Sequence, residues 1–168
     1  MSSHRNLIQS LSGGNGELVL EFFATFSRFE YALKRAHFVK PNRNDARPDW
    51  DSFADALNGK FAAITDPDFI SAKSYLRNKP PCKQKVDKAS SMGWKWLSNK
   101  PQETGESDER YFLRLVRDVR NNLFHGGKYP DGPVDEPARN SQLLQACLTI
   151  LDKCLPMNDF VARFFREV

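Results

Sequence analysis

The chain lacks the features that announce a membrane protein, a secreted protein or a metalloenzyme. Across its 168 residues no apolar run approaches the roughly 18 that a membrane-spanning helix needs. The polar start Met1-Ser2-Ser3-His4-Arg5-Asn6 has none of the apolar stretch of a secretory signal, so the expected location is the cytoplasm. The three cysteines, Cys82, Cys147 and Cys154, form neither an even set for a disulfide framework nor a Cys-x-x-Cys ligand spacing. His4, His37 and His125 stand in no His-x-x-x-His relationship, and no metal or other cofactor is expected. Gly13, Gly14 and Gly16 are not followed by Gly-Lys-Ser/Thr, so they read as a turn and not as a phosphate loop. A Gly-x-Ser-x-Gly elbow is also missing, which leaves a serine hydrolase unsupported.

What is present is helical periodicity. Phe22, Phe26, Phe29, Leu33 and Ala36 repeat at helical spacing and predict a buried seam on a helix from Glu17 to about Phe38, widened on one edge by Val19 and Phe23. Trp50, Phe53, Ala54, Leu57 and Phe61 predict a second helix up to about Ile64, capped by Asp49 or Asp51. Asp66-Pro67-Asp68 starts a third, which Pro80-Pro81 stops after about Asn78. Ser107-Asp108-Glu109 opens a helix from about Asp108 to Phe124, and another from about Asn140 to Leu155 buries Leu143, Leu144, Cys147, Leu148, Leu151 and Cys154. Phe160, Val161, Phe164 and Phe165 form an apolar tail that must dock on the bundle or on a partner.

No internal repeat, coiled-coil heptad series or strand-like alternation between turn signals is found, although Trp94-Lys95-Trp96 suits an extended segment or a short helix. The expected fold is all-α, an up-and-down bundle of four to five helices in one domain over 1–168. Residues 1–15 read as a loose arm, and 79–107 as a connecting segment that is basic and then acidic.

The net charge is only +4, from 25 basic and 21 acidic residues, but its distribution is uneven. Arg77, Lys79, Lys83, Lys85, Lys88, Lys95 and Lys100 stand against the single acid Asp87, a composition that suits nucleic-acid phosphates and equally suits a solvated loop.

Chemistry is most concentrated in Arg117-Asp118-Val119-Arg120-Asn121-Asn122-Leu123-Phe124-His125-Gly126-Gly127-Lys128. Phe112, Leu115, Val116, Val119 and Leu123 form the apolar stripe of this helix, while Arg117, Asn121 and His125 recur every fourth residue on a polar one. Arg120 and His125 lie roughly 140° apart on an ideal helix, so they meet only if the helix ends there and the arginine reaches round. Gly126-Gly127 supplies such an ending.

Arg120-Asn121-x-x-x-His125 followed by glycine resembles the signature of the HEPN superfamily, helical domains many of whose members are metal-independent ribonucleases. The resemblance takes in the long aromatic first helix, the Pro-Pro segment and the closing amphipathic helix. It implies Arg120, Asn121 and His125 as catalytic residues and RNA as substrate. It also implies a homodimer with a composite site, because the reaction asks for both a base and an acid while the motif offers one titratable side chain. Arg117, Lys128, Glu30, Lys83 and Lys85 are the substrate-binding candidates, with Glu30 placed to orient Arg120 or, more simply, to pair with Lys34. Stand-alone members of the superfamily occur in toxin–antitoxin and defence systems, which implies an antitoxin or regulatory partner.

Two plainer readings stand beside the nuclease. The same residues suit a non-catalytic domain that binds RNA, a nucleotide or a protein. A histidine near a helix C-terminus also complements the helix dipole with no further role, and Arg120 suits a pair with any core carboxylate.

Overall fold

A computed structural model describes residues 16–41, 44–124 and 137–167. It is predominantly helical: α1 (Gly16–Arg35), α2 (Trp50–Ala56), α3 (Pro67–Asn78), α4 (Asp108–Phe124), α5 (Pro137–Cys154) and α6 (Asp159–Arg166). Short 3₁₀ turns cover Lys60–Ala63 and Leu155–Met157. Helix α5 packs against α1, α3 and α4, α6 docks on α1, and α2 lies against α4. No helix among the described residues is long and apolar enough to cross a membrane.

The apolar spacings account for the core. Phe22, Phe26, Phe29 and Leu33 of α1 are buried, as are Trp50, Phe53, Ala54, Leu57 and Phe61. Phe29 is enclosed by Trp50 at 5.4 Å, Phe53 at 5.6 Å and Phe165 at 6.0 Å between ring centroids. Truncating so enclosed a ring costs about 3–5 kcal/mol, which makes Phe29 a keystone between α1, α2 and α6. Cys147 and Cys154 are fully buried, and burial pushes the Cys154 thiol well up, so both act as small apolar side chains.

Caps follow the polar residues between the apolar series. Asp49 accepts the amides of Asp51 and Ser52 at the start of α2, and Asp66 accepts that of Phe69 at the start of α3. Ser107 caps α4 through the amide of Arg110, while Glu109 turns inward and accepts the buried amide of Phe61 at 2.8 Å.

Several expectations are corrected. There are six α-helices among the described residues, not four to five, because the apolar tail forms α6. Phe160 of that helix nonetheless stays exposed, as does Phe23 of α1. The expected second helix breaks after Ala56, where Gly59 takes a φ of 81° and the chain continues as a 3₁₀ turn. Helix α1 ends at Arg35: His37, at φ 66°, donates its amide to Lys34 and Phe38 donates to Leu33, closing the helix in the manner of a C-terminal glycine.

The connecting segment also contains an antiparallel hairpin, β1 (Lys83–Val86) paired with β2 (Trp94–Leu97): Trp94-Lys95-Trp96 takes the extended form of its two expected conformations, and its partner strand is unexpected. Its strands are only four residues long, too short for an alternation to stand out beside the lysines. Lys83 and Asn99 both reach Asp118, at 3.1 and 2.8 Å, and Asn122 Nδ2 donates to the carbonyl of Cys82 at 2.7 Å. The segment is thereby fastened along one flank of α4.

Candidate functional site

Helix α4 turns Phe112, Leu115, Val116, Val119 and Leu123 into the core. That orientation leaves Asn121 on the opposite side and Arg117 and Arg120 on the flank next to it, the three being neighbours at helical spacings of three and four. They line an open cleft of about 490 Å³ together with Phe26 and Glu30 of α1, Trp50 of α2, and Lys40, Arg47 and Pro48 of the loop between them. Four of the sequence-derived candidates, Arg117, Arg120, Asn121 and Glu30, therefore share one cleft.

The arrangement within it is specific. Arg117 Nη1 donates to Asp51 Oδ1 at 3.0 Å, and the other oxygen of Asp51 meets Lys40 Nζ at 3.3 Å. Arg47 pairs with the exposed Asp45 at 3.4 Å. Arg120 has no carboxylate within ion-pair distance among the described residues, and its Nη1 donates to Asn121 Oδ1 at 3.2 Å. Its guanidinium carbon sits 4.8 Å from the ring centroid of Phe124 and 5.6 Å from that of Phe26. Two aromatic faces therefore hold the cation without neutralising it.

Glu30 pairs with neither Arg120 nor Lys34. Its Oε1 accepts the indole N–H of Trp50 at 3.2 Å, a bond that ties the floor of the cleft to the aromatic core, where Trp50 stacks on Phe26 and Phe29. The expectation that Arg120 pairs with a core carboxylate is likewise not met.

The other candidates lie elsewhere. Lys83 is committed to Asp118, which projects from α4 about 100° around from Arg117, and Lys85 is exposed on the hairpin. Neither lines the cleft. Of the other basic residues in that stretch, Lys95 pairs with Asp87, Lys100 with Glu103 and Arg77 with Asp108. His125 and Lys128 lie outside the described residues.

Sequence reasoning missed Lys40 and Arg47. The loop that carries them folds back on itself, with the Lys40 amide bonded to the Arg47 carbonyl at 2.9 Å and Val39 bridged to Pro48. The available signal was a proline-bounded loop with a cation near each end.

No group of histidine, cysteine, aspartate or glutamate side chains among the described residues is arranged to hold a metal ion. Searches of protein-family models, of curated proteins and of solved structures return no match to this chain.

Proposed function

We propose that this protein is a metal-independent endoribonuclease, with Arg120 and Asn121 holding the scissile phosphate and His125 moving the proton. The observation that carries the reading is Arg120: a guanidinium held by aromatic faces, with no carboxylate within ion-pair distance among the described residues, in a cleft it shares with Arg117, Lys40 and Arg47. A planar, permanently charged fork suits two phosphate oxygens and the extra negative charge that develops on them during transfer.

In the proposed reaction the ribose 2′-oxygen bonds to the adjacent phosphorus and the bond from phosphorus to the 5′-oxygen breaks. An imidazole takes the 2′-hydroxyl proton, and a second proton goes to the departing 5′-oxygen. The products are a 2′,3′-cyclic phosphate and a 5′-hydroxyl end. Imidazole suits both transfers because its ordinary pKa of about 6.5 lies near neutrality. Each chain has one His125, so the scheme calls for a two-fold dimer that brings two motif helices to one RNA strand. An antitoxin or other regulatory protein would restrain such an activity.

The second reading is a HEPN-type domain that holds RNA, a nucleotide or a protein partner without cutting. Glu30 favours it, since a carboxylate in the same cleft also suits the hydroxyl and N–H donors of a bound nucleotide. Incubating the purified protein with mixed RNA in chelator, and analysing the product ends, tests the choice. Cyclic phosphate ends support the nuclease; RNA that is bound and left intact supports the second reading.

A further inference from the structure

At the edge of the cleft two large aromatic side chains are left in solvent. Phe23 of α1 and Phe124 of α4 are each 45% exposed, and their rings lie 5.3 Å apart, tilted by 36°. Phe124 is the ring over which the Arg120 guanidinium is held. Leu20, one helical turn before Phe23 on the same side of α1, is 58% exposed and extends the surface away from the cleft. This exposed aromatic pair, contributed by two helices, lies directly beside a cation with no carboxylate partner among the described residues; Phe124 positions that cation, and Phe23 has no role in the core or in the phosphate contacts described above.

We propose that Phe23 and Phe124 form a stacking platform for an unpaired nucleobase whose backbone phosphate lies on Arg120. The proposal rests on the RNA reading of the cleft and narrows it to single-stranded substrate, because a base within a duplex cannot offer its face to a protein ring. Charge and chemistry select this occupant. A nucleotide is the ligand that joins a flat π-face to an anion within one residue, matching an aromatic surface joined to a guanidinium. A second protein copy is the less fitting occupant on area. Leu20, Phe23 and Phe124 together expose on the order of 300 Å², given that a whole aromatic side chain presents about 150–250 Å². A stable partner covers about 800 Å² on each side.

The test measures affinity of the full-length protein for three probes of about ten nucleotides: single-stranded 2′-O-methyl RNA, which lacks the attacking hydroxyl, the same strand in a duplex, and an abasic ribose-phosphate strand. Phe23→Leu and Phe124→Leu keep an apolar side chain and remove the π-face, and circular dichroism verifies their fold. The expected result for both variants is a loss of about ten-fold to a hundred-fold for the single strand; in Phe23→Leu, which leaves the ring that holds Arg120 in place, abasic and duplex affinity and the salt dependence are unchanged. Equal losses for base-bearing and abasic strands in Phe23→Leu would overturn the proposal. So would unchanged single-strand affinity in both variants, or a fall of the variants from dimer to monomer in sedimentation, which would make the surface a protein interface. Wild-type protein that binds none of the probes would remove the RNA reading itself. Binding that depends on Arg120 but not on either phenylalanine would remove only the platform.

Discussion

The Arg120 guanidinium lies over the ring of Phe124, one helical turn further along α4, with 4.8 Å between the guanidinium carbon and the ring centroid. A ring positions a cation and leaves its charge available, whereas a carboxylate would position and neutralise it. The difference gives Arg120 a character unlike that of Arg117, which is held by Asp51, or Arg114, which is held by Glu106.

The first prediction follows from that character. Arg120→Ala is expected to weaken RNA binding and to slow cleavage, because one group serves both the bound phosphate and the transition state. Arg120→Lys should restore binding more than rate, since a point charge cannot make the two-pronged contact. Dissociation constants and single-turnover rates measured side by side check this. Equal rescue of both by lysine would contradict it.

His37 supports a prediction about stability alone. With φ at 66° it occupies the left-handed position that glycine adopts without steric cost. His37→Gly should therefore raise stability, by about 0.5–1 kcal/mol, and leave RNA binding unchanged. A lowered urea midpoint would show that the imidazole makes a contact that outweighs the backbone strain.

Much of this organisation was legible in the chain. The start of α4 at Asp108 and the end of α3 at Asn78 follow from a Ser-Asp-Glu start and a Pro-Pro stop. Burial of the Phe22, Phe26 and Phe29 seam was equally plain, because a four-and-three spacing has one physical solution. Of the candidate site, Arg117, Arg120, Asn121 and Glu30 share a cleft, while Lys83 does not, since local charge density cannot reveal that Asp118 will claim it. Lys40 and Arg47 were hidden for a similar reason. They enter the cleft through a loop closed by backbone bonds between its own two ends, and no periodicity marks such a loop. The end of α1 was misjudged by a few residues because histidine rarely takes the conformation that glycine favours.

The charge map yields a third prediction. Arg47 lines the cleft and its ion pair with Asp45 is exposed, so Arg47→Gln should lower the salt slope of RNA binding by roughly 0.7, one phosphate's share for a single strand. Lys83→Gln should leave the slope unchanged, because Lys83 is spent on Asp118 outside the cleft. Titrations at several salt concentrations decide the matter. The reverse pattern would move the RNA path to the hairpin.

Acid sensitivity gives a fourth. Burial pushes the Asp108 carboxyl up, but hydrogen bonds from Gln102 and Lys73 and the charges of Lys73 and Arg77 more than reverse this and hold it below the usual carboxylate range. Glu106 is likewise held down, with burial opposed by Arg114. A carboxyl whose pKa is depressed in the folded state contributes stability above its unfolded value, about 3.9 for aspartate and 4.3 for glutamate, and that stability is lost as pH falls through the lower folded value. Stability should therefore drop below about pH 4. Asp108→Asn should be less stable near neutrality and lose less on acidification. Urea midpoints followed from about pH 6 to pH 2 test this; an acid limb as steep as the wild-type's would reject the assignment to Asp108.

The claim of metal-independent cleavage is tested most directly by His125→Ala beside wild-type protein, both shown to be folded, with single-stranded RNA in excess chelator. The predicted result is wild-type cleavage to 2′,3′-cyclic phosphate ends, slowed by about a hundred-fold to ten-thousand-fold in His125→Ala, with RNA affinity nearly unchanged. Indistinguishable RNA degradation by the two proteins would contradict the account.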